Sequence, residues 1–156
     1  MKFFFKLLLV AAVVVFIKTQ FIDNKNDFKH RGLVPLDVRF VQGPKPAENH
    51  PLLIEFWATW CGPCRQSIPH VNELYAKYHS RGLYVVGITQ EEPGVVQSFM
   101  QQVPMQYAVG LDPLGRYGKE LEIKGIPHAF LLNRNGMLVW DGHPMELTAA
   151  EVEKVL

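Results

Sequence analysis

The sequence predicts an α/β fold, a central mixed β-sheet flanked by helices. Three observations carry that expectation. Residues 52–58 are an apolar run interrupted only by Glu55, the composition of a strand covered on both faces. Strand-like and helix-like patterns alternate from there to residue 121, as they do when helices pack on a sheet. Asn135-Gly136 then separates two apolar runs, a hairpin signal, before a last short helix.

The chain has 156 residues and a net charge of +1, enough for one globular domain behind a short N-terminal segment. Near-neutral charge gives no case for a nucleic-acid partner. Residues 7–17 are uninterruptedly apolar between Lys6 and Lys18, with Phe3, Phe4 and Phe5 ahead of them. Eleven residues are too few to cross about 30 Å of hydrocarbon, but residues 3–22 suffice if both lysines snorkel. No small-x-small site comes after the run, so residues 1–22 are expected to be an uncleaved signal anchor rather than a cleaved signal peptide. Orientation is contested. Lys18, Lys25, Lys29 and Arg31 after the run outnumber Lys2 and Lys6 before it, which taken alone places the C-terminal side in the cytoplasm. A very short basic start before an apolar run behaves instead as an export signal, and export is the expectation.

Residues 23–33 are polar and expected as a tether, and residues 34–156 as the folded domain. Leu36, Val38 and Phe40 alternate and predict an opening strand over 36–41. The central strand, 52–58, comes after Pro51. Cys64, Ile68, Val71, Tyr75 and Tyr78 then recur at helical spacing until Gly82, with Pro69 inside as an expected bend. Residues 83–89 read as a second buried strand, and Pro93 opens a helix with Val96, Phe99 and Met100 on its apolar face. Met105, Tyr107 and Val109 alternate briefly, and Asp112-Pro113 predicts the start of a helix over 114–121. Strands over 128–132 and 137–140 form the hairpin. Thr148 and Glu151 predict a capping box for the final helix.

Chemistry is concentrated in Phe-Trp-Ala-Thr-Trp-Cys-Gly-Pro-Cys, residues 56–64, between the central strand and the next helix. Cys61 and Cys64, the chain's two cysteines, can close into a small disulfide ring or open to a dithiol with little backbone movement. In the first turn of a helix, Cys61 meets unpaired N–H groups and the positive dipole end, which favour its thiolate. The thiolate is the nucleophile of disulfide exchange, and in such settings its pKa falls from about 8.5 to roughly 3.5–7.5. Cys64, one turn further in, is expected to be shielded and to resolve the mixed disulfide. Other uses of the motif fit less well. Zinc needs a second ligand pair at metal spacing, which His70 and His79 do not supply. Haem attachment needs His where Arg65 stands, and a peroxiredoxin-type peroxidase needs Thr where Ala58 stands. The reading calls for no metal and no cofactor.

Residues 57–64, then Pro69, then Gly125-Ile126-Pro127 and the stretch 130–136, resemble the thioredoxin fold. More narrowly, they resemble the membrane-anchored, exported thiol–disulfide oxidoreductases of the TlpA/ResA/DsbE group. The likeness spans residue 34 to the end. It implies Cys61 as attacking thiol, Cys64 as resolving thiol and Pro127 as a cis-proline against the disulfide, leaving the backbone of Ile126 to pair with an extended substrate. It places Glu55 where thioredoxins carry a buried acid, able to exchange a proton with Cys64 because burial raises a carboxyl pKa; a glutamate turned to solvent is the plainer alternative. Trp60, Gly62, Pro63 and Ile126 become the expected substrate-binding surface, and Trp57 core packing. Two positions depart from the group. Ser67 stands where many relatives have Glu, and His128 where thioredoxins have Thr, either to tune the Cys61 thiolate or simply to start a strand.

The resemblance implies a protein-disulfide reductase working on disulfides of exported proteins, with cytochrome c maturation a typical task. Gly-Pro between the cysteines is the thioredoxin pairing, near about −270 mV, rather than that of an oxidant near about −120 mV. Expected partners are a disulfide-bonded protein, a membrane electron donor and the inner membrane itself, with the catalytic domain facing the periplasm or extracytoplasmic space. The residues leave open a non-catalytic binding module or Cu(I) chaperone, since thiolates suit soft metals, and a disulfide oxidase or isomerase.

Overall fold

The computed structural model describes residues 36–156; the expected anchor, 1–22, and tether, 23–33, lie outside the described residues. In chain order the elements are β1 (Arg39–Gln42), β2 (Leu52–Phe56), α1 (Gly62–Tyr78), β3 (Tyr84–Thr89), α2 (Pro93–Gln102), β4 (Ala108–Leu111), α3 (Arg116–Glu120), β5 (His128–Leu132), β6 (Leu138–Gly142) and α4 (Ala149–Glu153). The strands form one sheet in the order β1-β4-β3-β2-β5-β6. β2 pairs parallel with β3 and antiparallel with β5, so the sheet is mixed. Its two inner parallel pairings, β2–β3 and β3–β4, are bridged by α1 and α2.

Strand alternation gives β2 two buried faces. Leu53 and Trp57 join a core with Cys64, Ile68 and Val71 of α1, Val96 of α2 and Val152 of α4. Ile54 and Phe56 point the other way, where Phe56 meets Phe130 of β5 edge to face at 6.0 Å. Glu55 lies on the Leu53 side, beneath α1, in a layer that is otherwise apolar.

Several boundaries move for physical reasons. β1 starts at Arg39 rather than at 36; Gln42 Nε2 donates to the carbonyls of Met105 (2.6 Å) and Tyr107 (2.7 Å), anchoring the strand's far end one residue later than expected. α1 ends at Tyr78, and a 3₁₀ turn, His79–Arg81, carries the chain to Gly82, whose φ of +100° suits glycine. α3 begins at Arg116, because the Asp112 carbonyl accepts from Gly115 N (2.8 Å) and closes a turn through Pro113 first. The N-cap is therefore Gly115 rather than Asp112, although Asp112 Oδ2 still accepts from Tyr117 N in the first turn at 2.9 Å. The hairpin turn is longer than Asn135-Gly136 alone. Asn133 Oδ1 accepts from Asn135 N and Met137 N, which holds Met137 in the turn and starts β6 at Leu138. A 3₁₀ turn at Pro144–Glu146 leads from β6 toward α4, with no sequence signal to announce it. The capping box at α4 is present in full, with Glu151 Oε2 accepting from Thr148 N at 2.8 Å.

Candidate active site

β2 delivers the chain to the C-terminal end of the central strands, and a short loop turns it into α1. Trp57 N donates to Ile88 O (3.1 Å), extending the β2–β3 pairing by one residue, and Cys61 N donates back to Ala58 O (3.1 Å) to close the turn. Cys61 is therefore the N-cap of α1 and not a residue of its first turn. Its sulfur accepts from Cys64 N at 3.2 Å, so it occupies the place of a capping oxygen at the positive end of a 17-residue helix. Gly62 and Pro63 are the next two residues, where a missing N–H costs nothing, and both are exposed.

Cys61 and Cys64 are joined as a disulfide, with Cα atoms 5.2 Å apart. Cys64 is fully buried, in keeping with its spacing, but Cys61 retains only 5% of its surface. The difference in access is thus small, because the ring folds Cys61 against the helix end. The indole of Trp60 is 74% exposed beside it, while Trp57 is buried and packs on Phe99 at 5.4 Å.

Trp60 and Ile126 line one cleft of about 220 Å³ together with Phe56, Trp57, Glu91 and Asp112. Residues 66 positions apart in sequence are brought together there because β5 runs beside β2, with His128 opposite Phe56. The Ile126–Pro127 peptide is cis, and both residues are half-buried. His128 directs Nε2 to Asp141 Oδ2 of β6 (3.5 Å) and packs its ring on Phe130 at 4.7 Å, so its partners are those of a strand start.

Glu55 is completely buried, which removes the solvent-facing alternative. Its Oε1 accepts from Ser67 Oγ and its Oε2 from Tyr107 Oη, both at 2.9 Å. Burial pushes the carboxyl from its ordinary 4.5 up to about 7, against the two hydrogen bonds, which pull it down. Ser67 Oγ also lies 2.8 Å from the carbonyl oxygen of Cys64. The same burial, with the carboxylate nearby, raises the Tyr107 phenol well above its usual value, so it stays a donor.

Two participants escape sequence reasoning. Glu91 accepts from Thr59 N (2.7 Å) and Thr59 Oγ1 (2.6 Å), clamping the loop just ahead of Trp60. Tyr107 closes the cage around Glu55. Neither lies in a motif; each reaches the site across the sheet, from 32 and 52 positions away.

A Redoxin family model matches residues 41–156. A thiol-disulfide oxidoreductase ResA of Bacillus thuringiensis subsp. konkukian is 30% identical over 89 residues, 56% of this chain and 51% of the relative. The ResA of Oceanobacillus iheyensis is 28% identical over 141 residues, 83% of this chain and 73% of the relative. The chain thus spans about half the length of the first of these relatives and nearly three quarters of the second. A crystal structure from Chlorobium tepidum, named for a thiol:disulfide interchange protein DsbE, is 36% identical with a TM-score of 0.59 over 68% of this chain and 74% of that one. StoA of Bacillus subtilis is 26% identical with a TM-score of 0.62 over 70% of this chain and 89% of that one.

Proposed function

This chain belongs to the redoxin family and has a thioredoxin-like fold, and from that premise we propose that it is a thiol–disulfide oxidoreductase that reduces disulfides of exported proteins. The observation that carries the reading is the Cys61–Cys64 disulfide closed over the N-terminus of α1, beside exposed Trp60 and the cleft it shares with Ile126. That arrangement offers two sulfurs at a dipole end and an apolar surface on which a substrate segment can rest.

In the reducing direction the Cys61 thiolate attacks one sulfur of the substrate disulfide. An S–S bond forms between Cys61 and substrate, and the departing substrate sulfur takes up a proton. Cys64 then gives its proton to Glu55 and attacks the Cys61 sulfur, releasing the second substrate thiolate, which takes up the proton that Glu55 gives back. The substrate ends as a dithiol and the protein as the Cys61–Cys64 disulfide. Two electrons and two protons from a membrane dithiol donor return it to the reduced state. Pro127 has no N–H, so the Ile126 backbone beside it is available to an extended peptide. Gly62 and Pro63, exposed at the helix start, present little bulk to that peptide. The basic, apolar N-terminal sequence supports an inner-membrane anchor with the domain on the extracytoplasmic side, where apocytochrome c cysteines are a fitting substrate.

The test is trapping. Cys64→Ala is expected to accumulate a mixed disulfide with substrate through Cys61, and Cys61→Ala to trap little, because Cys61 stands at the N-cap on the positive end of α1 while Cys64 lies one turn in with no exposed surface. Equal trapping by both variants would overturn the assignment of roles. Wild-type protein is also expected to reduce insulin disulfides; retention of Cu(I) through desalting without reduction would replace the enzyme reading with a metal-carrier one.

A further inference from the structure

Ser67 is fully buried on α1, at the position where the resemblance leads one to expect a glutamate. Its hydroxyl lies 2.9 Å from Glu55 Oε1 and 2.8 Å from Cys64 O. A hydroxyl has one hydrogen, so Ser67 cannot donate to both at once. We propose that Ser67 is a positioning residue for the resolving half of the reaction: its single hydrogen is shared between Glu55 and the Cys64 carbonyl, and its place is set by whether Glu55 carries a proton. This rests on the exchange function proposed above.

The two arrangements are set by donor and acceptor counts. With Glu55 ionised, Ser67 and Tyr107 each donate to one carboxylate oxygen. With Glu55 protonated at Oε1, its O–H donates to Ser67 Oγ, and the Ser67 hydrogen turns to the Cys64 carbonyl. The hydroxyl therefore stabilises the charged carboxylate directly, and gives its hydrogen to the backbone of the resolving cysteine only when Glu55 is protonated. The ionisable groups facing Glu55 are Tyr107 ahead of β4 and, behind Tyr107, the phenol of Tyr75 on α1, whose ring is 6.4 Å from that of Tyr107. Its neighbours across the sheet, Gly87 of β3 and Ala129 of β5, have none.

The experiment tracks the Glu55 carboxyl band by infrared spectroscopy across a pH titration of the disulfide form, with Glu55→Gln assigning the band. Ser67→Ala is expected to raise the midpoint by roughly one unit, as loss of a hydrogen bond to the charged form does. Tyr107→Phe is expected to raise it similarly and serves as the reference. Ser67→Thr keeps the hydroxyl and should stay near wild type; if its extra methyl unfolds it, Ser67→Cys, with only a weak S–H donor, should fall with alanine. The pH at which the resolving step is half-maximal should move with the midpoint in each variant. A Ser67→Ala midpoint at the wild-type value while Tyr107→Phe shifts, or a Ser67→Thr or Ser67→Cys result opposite to that expected, would overturn the proposal. Absence of any disulfide exchange by wild type would overturn the function instead, since the band is read in a non-reacting form.

Discussion

The cost of Glu55 to the fold and its use in catalysis have one origin, the burial of its carboxyl. Burial lifts its carboxyl to about 7, whereas in the unfolded chain it ionises near 4.5. Between those values the folded state holds a proton that the unfolded state has released. The resulting stability is fully present below 4.5 and is lost as pH rises through about 7, on the order of 3 kcal/mol for this one group. Glu55→Gln keeps the shape and removes the charge, so urea unfolding should find it more stable than wild type at pH 8 and about equal at pH 4. An equal gap at both values would place the effect in packing rather than ionisation. Kinetically the same variant should slow turnover while leaving the first attack by Cys61 largely intact, since the proton is needed only when Cys64 acts; stopped-flow separation of the two steps reads this.

At the scale of elements, the loop between β2 and α1 is fixed from below by β3. A Cβ at Gly87 would stand 2.8 Å from Trp57 Nε1 and 3.1 Å from Met105 Cε, and Trp57 is held in turn by Phe99. Glycine is needed there for close approach, not for an unusual φ. Gly87→Ala should force the indole against its neighbours and destabilise by about 1–3 kcal/mol, measured as a shift in denaturation midpoint. A neutral substitution would mean that Trp57 has space the packing does not suggest. The C-terminal helix poses the opposite case. α4 has five residues and a complete capping box, so Thr148→Ala should cost about 1 kcal/mol and leave exchange activity unchanged.

For the whole molecule, two properties can be read in cells: the side of the membrane on which the domain works and the direction in which it runs. Export is argued from the apolar sequence ahead of the domain, against the count of lysines and arginine behind it. A membrane-impermeant thiol reagent should label Cys61 in intact cells after mild reduction; labelling only after lysis would place the domain in the cytoplasm. Reductase action further requires that the protein be mainly dithiol in growing cells, which alkylation after acid quenching reports as a gel shift. A steady state fully in the disulfide form would keep the roles of Cys61 and Cys64 and turn the function to oxidation.

By itself the sequence determined the strand–helix alternation, the buried central strand, the hairpin and the cap of α4, together with the redox pair at the head of α1. These are local signals: period, turn chemistry and spacing within a few residues. Tertiary structure decided what depends on groups distant in sequence. Only the β2–β5 pairing sets Ile126 in the same cleft as Trp60, and only packing across β2 and α1 closes Ser67 and Tyr107 around Glu55. The near-equal burial of Cys61 and Cys64 was likewise illegible, because spacing gives the turn on which a side chain lies but not what the ring folds against. Glu91 at Thr59 is the same kind of contact: no short-range pattern marks it, since its partner is chosen by the parallel pairing of β2 and β3 and not by neighbours in the chain.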